Sequence, residues 1–381
     1  DLTQVMLGPC ATQLLGDFGA DVIKIERPGS GDLSRWSIPD PAGLDNPVFV
    51  SLNRNKRSIA LNLKDDEARD IVRKLVKESD VIVNNFRPGV MDRMGLGYEA
   101  LAEVNPKIIF AFGTGFGRSG PYAHKGGQDV LAQAMTGVMA RKADPEHPLA
   151  VYATALADYS AAMHLVQGIL LALIQRERTG RGQEVDVSLY DSMLAMQTQE
   201  ASVWMMRQEN LNWAAMPLTG VFDTKDGAVV LVGAFKENPL RDICTALEID
   251  DLSKEERFST MEGMRDHRAE LQAAFRNRFR EETTAHWIER LEAQDLLCSR
   301  VRSLAEALDD PQTRENGMVV ETKKGEREPL KMVGAPIHLS DAPFELRHAP
   351  PRLGEHSDAI LKELGYDESS IRALREEGVI A

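Results

Sequence analysis

A chain of 381 residues, 43% hydrophobic and 27% charged, is long enough for two domains and has the balance of an ordinary globular protein, which excludes disordered and collagen-like classes. The formal charge of −14 argues against a nucleic-acid-binding surface, while leaving room for a local basic pocket that takes a small anion. Three scattered cysteines, Cys10, Cys244 and Cys298, form no disulfide framework and no zinc motif, so a cytoplasmic protein with buried thiols is expected.

The chain opens on DLTQV with no charged-then-apolar leader, so no signal peptide is expected, and it reads as starting within a first strand whose earlier residues are missing. A helical stretch, PCATQLLGDFGA, and the strand DVIKIE complete a first strand, helix, strand unit. A second consists of SIALNLK, the amphipathic DDEARDIVRKLVKESD with Ile71, Leu75 and Val76 on one face, and VIVNNF. A third follows in GVMDRMGLGYEALAEVNP and KIIFAFGTG. Such repeats with near-continuous apolar strands predict a parallel sheet covered by helices on both faces. The longest candidate for a membrane span, Leu165 to Ile174, is too short and is broken by Gln167 and Gly168, so no membrane association is expected. Further on, GVFDTKDGAVVLVGAF predicts a hairpin about a Lys-Asp-Gly turn. From Asn238 to about Pro311 the pattern is helical and charged, which marks a smaller inserted domain over residues 210–315. Residues 1–200 form the larger domain, and a segment 325–381 ending in SDAILKELGYDESSIRALREEG is expected to return to it.

Asp158 stands between a small-residue loop and a long apolar helix in ATALADYSAAMHLVQGILLALIQRERTG. A carboxylate there reads first as an N-cap, and second as a nucleophile. Gly115-Phe-Gly117-Arg-Ser-Gly120 has the spacing of a dinucleotide loop but runs on into Pro121-Tyr122-Ala123 and opens no helix, so it reads as a turn after a strand. The eight histidines form no metal motif, His164 reads as a packed side chain, and no G-x-S-x-G elbow is present. Basic residues flank the predicted strands: the run Asn53 to Arg57 precedes one, whereas Arg27 and Asn85-Phe86-Arg87 follow others, with Arg93 one turn on. Ligands of open α/β sheets bind at the carboxyl ends of strands, where Arg or Lys holds phosphate and Phe packs on a base.

The blocks GPCATQLLGDFGADVIKIERPGSGD, NRNKRSIALNLK, VIVNNFRPGVMDRMGLGYEAL, GTGFGRSGPY and ALADYSAAMHLVQGILLALIQRERTGRGQEVDVSLYDSML occur in that order. With the tail PPRLGEHSDAILKELGY, the chain resembles the class III CoA-transferase family, which includes formyl-CoA and carnitine CoA-transferases and α-methylacyl-CoA racemase. The resemblance implies an α/β fold: a Rossmann-like large domain with a parallel sheet, a smaller inserted α+β domain, and an interlocked homodimer. It implies Asp158 as the catalytic nucleophile, acyl-CoA and a carboxylic acid as substrates, and no tightly bound cofactor. It further implies a coenzyme A site at Val5, Met6 and Leu7, Arg27, Leu61 to Lys64, Asn85 to Arg87, Arg93 and Met94, and Lys125, Gly126 and Gln128, with Arg27 and Arg93 on phosphates and Asn85 and Phe86 flanking adenine or pantetheine.

Two departures refine this. Where the racemases carry a His-Asp dipeptide, the chain has Gln128-Asp129, and Gln is no base, which turns the reading away from two-base epimerisation. The glycine-rich flap of formyl-CoA transferase is missing, since AAMPLTGVF leads straight into the hairpin, so an acid larger than formate or oxalate is as well suited. An acyl-CoA racemase and a non-catalytic CoA-binding protein remain as alternatives.

Overall fold

The computed structural model describes residues 1–38, 46–144, 146–323 and 329–381, so the start of the expected C-terminal segment, 325–328, lies outside the described residues. Two compact units result: residues 1–138, 151–198 and 315–381 form the first, and 139–150 with 199–314 the second.

The first unit is mixed α/β. Strands β1 (Val22–Glu26) and β2 (Lys56–Ala60) pair in parallel, and β3 (Val81–Asn84), β4 (Ile109–Thr114) and β5 (Glu184–Ser188) form a second parallel group in that spatial order. Helix α1 (Leu7–Asp17) precedes β1, and α2 (Asp66–Glu78) crosses from β2 to β3. The start of α2 follows from Asp65, whose carboxylate accepts the Glu67 N–H, and its inner face is the predicted stripe with Val72 added. The expected first strand at DLTQV does not form. Leu2 N–H bonds to the Val83 carbonyl and Ile25 N–H to the Asp1 carbonyl, which ties β3 to β1, but the next N–H groups, of Thr3, Gln4 and Val5, are taken by the side chains of Asp1, Asn85 and Asp32. A strand whose ladder donors are diverted in this way ends.

Downstream come α3 (Asp129–Met135), α4 (Leu156–Thr179) and α5 (Leu189–Met196). Contrary to the expectation of no span-length run, α4 has 24 residues and is long and apolar enough by composition to cross a bilayer. Its stripe of Ala157, Ala161, Leu165, Ile169 and Ala172 is buried where it packs against α1, β4 and β5, as in a core helix. Gly168 makes the approach to β5 possible, since a Cβ there would sit 2.5 Å from a Val185 methyl.

The first unit also buries charge. Lys24 Nζ lies 2.8 Å from Asp32 and donates to the Thr3 carbonyl, Glu26 accepts a two-pronged bond from Arg35, and Arg54 grips Asp17 in the same way. Lys56 Nζ donates to Asp1, Asn53 and the Pro9 carbonyl. Asn53, Arg54, Asn55 and Lys56 are therefore buried, while Arg57 pairs with the exposed Asp21 and Glu363.

The second unit is an antiparallel sheet. Strands β6 (Thr219–Asp223) and β7 (Ala228–Val232) form the predicted hairpin, and β8 (Leu297–Arg300) pairs with β7. Its core gathers Phe222, Phe275, Phe279 and Trp287, with the Phe222 and Phe279 rings stacked at 4.7 Å and the Trp287 indole N–H donating to the Phe279 carbonyl.

Asp32→Asn leaves Lys24 buried opposite a neutral group, a loss of about 3–5 kcal/mol in urea unfolding at pH 7. Burial pushes the Asp32 carboxyl up, but Lys24 and the Val5 and Ser34 N–H groups hold it below the ordinary carboxylate range. A folded-state value below the unfolded one gives stability that is complete above that range and lost as the pH falls through it, so the gap between wild type and variant should narrow in acid.

Candidate active site

The residues Gln4 to Leu7 form a short turn before α1. Gln4 N–H donates to Asn85 Oδ1 at 2.9 Å and the Asn85 amide returns a bond to the Gln4 carbonyl at 2.7 Å. Val5 N–H donates to Asp32 Oδ1 at 2.9 Å, and the same oxygen accepts from the Ser34 backbone and hydroxyl. Between these clamps Val5 takes φ 69°, a left-handed conformation that costs a β-branched residue about 1–3 kcal/mol. Asn85, expected beside the ligand, thus commits its amide to holding this turn.

Asp158 is not the N-cap of α4. Ala155 holds that position without a side-chain bond, and Asp158 is the third helical residue. Capping falls to Asp129 at the start of α3, whose Oδ2 accepts the Ala157 N–H at 2.6 Å and the Asp158 N–H at 3.1 Å. Buried Gln133 supports this cap: its amide donates to Asp129 and its Oε1 accepts the Tyr152 N–H. The half-buried Asp158 carboxylate is left facing a cavity. Burial first, and the Asp129 charge second, push its carboxyl up to about 6, against the pull of the Leu7 N–H. It is still mostly ionised at neutral pH.

That cavity, about 600 Å³, is lined by Val5, Met6, Leu7, Asn85, Phe86, Arg87, Lys125, Gly126 and Gln128 together with Asp158. A second, of about 550 Å³, is lined by Arg27, Leu61, Lys64, Arg93 and Met94 and shares Gln4 and Phe86 with the first. Every site residue expected from the sequence lines one of the two. No ion pair among the described residues engages Arg27, Lys64 or Arg93, whereas the acids on that wall, Glu26 and Asp32, are already neutralised by Arg35 and Lys24. One cavity holds cations that form no ion pair among the described residues, the other holds the raised Asp158 carboxylate, and Phe86 lines both.

Other functional positions escaped sequence reasoning. Asp32 signals itself only as an acid two residues before Ser34 in a glycine-rich loop. Gly115 and Gly127 hold two loops in backbone contact, since a Cβ on either would lie 2.2–2.3 Å from the other's Cα. The first glycine of the dinucleotide-like motif is used for this crossing, and as expected the loop opens no helix. His164 Nδ1 meets Ser192 Oγ at 3.0 Å, as a packed histidine does.

The family model described as CoA-transferase family III matches residues 1–357. This chain belongs to CoA-transferase family III. It is 36% identical to succinyl-CoA:glutarate CoA-transferase of Mus musculus, over all of this chain and 88% of that protein. To formyl-CoA:oxalate CoA-transferase of Escherichia coli it is 34% identical, over all of this chain and 97% of that protein. A crystal structure of a CAIB/BAIF family protein from Brucella suis superposes with a TM-score of 0.85 at 32% identity, covering 95% of this chain and 97% of that one. The chain is a CoA-transferase, and enzymes of this class take CoA thioesters as substrates.

Gly127→Ala should force the two loops apart at an overpacking cost of about 1–3 kcal/mol and weaken CoA binding about tenfold by calorimetry. Unchanged affinity and unchanged unfolding temperature would show that the crossing does not hold the cavity.

Proposed function

We propose that the chain transfers CoA from an acyl-CoA to a free carboxylic acid through Asp158. The observation that carries this reading is the position of Asp158: a half-buried carboxylate raised to about 6 in a cavity adjoining one rich in unpaired cations. A carboxylate oxygen of Asp158 attacks the donor's thioester carbonyl, the C–S bond breaks, and CoA leaves as thiolate from a mixed anhydride. The thiolate attacks the aspartyl carbonyl, releasing the donor acid and leaving an aspartyl-CoA thioester. The acceptor carboxylate displaces the thiolate from that thioester, and the thiolate then takes the acceptor's acyl group from the new anhydride and frees Asp158. Bonds broken and formed are of like energy, so no ATP is consumed. The Leu7 N–H at the start of α1 draws the Asp158 carboxyl down and suits charge developing at the same carbon.

Arg27, Lys64 and Arg93 suit the phosphates of CoA, Phe86, Met94 and Leu61 its adenine and pantetheine, and Val5, Met6, Leu7 and Gly126 the arm that leads to Asp158. Arg87 and Lys125 in the same cavity favour an acceptor with a second carboxylate, a class that includes the oxalate and glutarate named for the relatives. Gln128 lines the cavity without titrating, which disfavours proton exchange at an α-carbon. A homodimer is part of this reading. Helix Thr198–Arg207 buries none of its residues and exposes Trp204, Met205 and Met206, and α4 exposes Leu170, Leu171 and Ile174, which is apolar surface fit for a second copy. Sedimentation showing a monomer at micromolar concentration would remove it.

Asp158→Asn should lower exchange by at least about 1000-fold while leaving CoA affinity nearly intact. A panel of acyl-CoAs and dicarboxylic acids, read by mass spectrometry with hydroxylamine as trap, should yield an aspartyl hydroxamate at Asp158 alone. Retained exchange in the variant would disprove the assignment. Because Asp158 must be ionised to attack and its folded-state value is raised, kcat/KM should climb with pH through about 6 and level off above it.

A further inference from the structure

We propose that Asp129 is a positioning residue for the transfer reaction: it takes over the cap of α4, which frees the Asp158 carboxylate for the cavity, and its charge destabilises the resting carboxylate relative to the acylated form. This rests on Asp158 being the nucleophile.

The geometry supplies the first half. With Ala155 at the N-cap, the end of α4 has donors and no side chain of its own to satisfy them, and an acid at the third helical position commonly folds back to do so. Here Asp129 Oδ2 occupies that place with bonds to the Ala157 and Asp158 N–H groups. Gln133, four residues on and buried, holds the other oxygen and also donates to the Thr154 carbonyl, so α3 and the loop before α4 are locked together. Asp158 has no need to cap its own helix.

The second half follows from charge. When an Asp158 oxygen bonds to the acyl carbon and the C–S bond breaks, the negative charge leaves with the CoA thiolate and the aspartyl group becomes neutral. Repulsion between Asp129 and Asp158 exists only in the free enzyme, so acylation relieves it, and the reverse step restores it. The effect brings free and acylated enzyme closer in energy, which suits a chain of near-isoenergetic exchanges. Other ionisable groups on the elements around α4 do not substitute for Asp129. The Cys10 thiol of α1 lies near Asp158, and burial pushes it up to about 11, so it is neutral. Lys56, Arg54 and Asp17 stand around Cys10, Tyr159 neighbours it, Asp191 of α5 is bound to Ser188, and Glu184 and Asp186 of β5 face Arg118. Arg87 and Lys125 line the open cavity.

Asp129→Asn keeps an oxygen for the two N–H groups and removes the charge. With succinyl-CoA, glutaryl-CoA and formyl-CoA as donors, hydroxamate formation at Asp158 is followed against pH in both proteins. The acid limb should fall by about one pH unit and the plateau rate by about tenfold, whereas a purely structural lesion lowers the plateau and leaves the limb in place. A limb that stays at its wild-type pH overturns the proposal whatever the plateau does. If wild type forms no hydroxamate at Asp158 with any of these donors, the nucleophile reading fails instead. Should Asp129→Asn not fold, carbon-13 NMR of the wild-type chain labelled at its aspartate carboxyls decides. An Asp158 carboxyl that titrates near 6 is expected, and one that titrates in the ordinary carboxylate range overturns the proposal.

Discussion

The site hangs on one buried ion pair. Asp32 and Lys24, 2.8 Å apart and shielded from solvent, cancel each other's charge, which lets Asp32 spend its second oxygen on the Val5 and Ser34 N–H groups. Holding Val5 at φ 69° takes that bond on one side and the Asn85 clamp on Gln4 on the other. The turn then sets Val5, Met6 and Leu7 along the wall of the cavity that Asp158 also lines. Strain at a single residue is tolerated because two fixed acceptors over-determine it.

Carboxylates divide the labour. Asp32 shapes the turn, Asp129 caps α4, and Asp158 is left with one weak tether and a cavity in front of it. Their titration follows the same division. Where a cation compensates burial, as at Asp32 and Glu26, the carboxyl falls below its ordinary range; where burial meets another acid, as at Asp158, it rises to about 6. Among the described residues Arg27, Lys64 and Arg93 form no ion pair and line the neighbouring cavity, so an acidic chain still has a locally positive pocket.

Much of the first unit was legible because periodicity reports burial: α2 was visible from its stripe, and β1, β3 and β4 from short apolar runs with polar ends. Residues that act through side-chain-to-backbone bonds leave no such pattern. DLTQV reads as the end of a first strand ahead of a helix, but its Gln4 and Val5 donors go to Asn85 and Asp32, 81 and 27 residues away. The basic residues of the run Asn53 to Arg57 read singly as solvated charge, and two of them turn inward because Asp17 meets Arg54 and Asp1 meets Lys56. The length of α4 was hidden by Gln167 and Gly168, which read as interruptions and are absorbed by a helix whose glycine packs on Val185.

The sequence alone determined the chain's class and its family, since each depends on local pattern or on motif blocks in order, and every expected site position lines one of two adjoining cavities. Tertiary structure alone decided what those residues do for one another: that Asp158 is the third residue of its helix, that Asp129 caps that helix, that Asn85 grips Gln4, and that Lys24 and Asp32 pay for the strain at Val5. The physical reason is that capping, ion pairing and backbone strain are settled between groups far apart in the chain, and such partners come together only when the sheet and helices have packed.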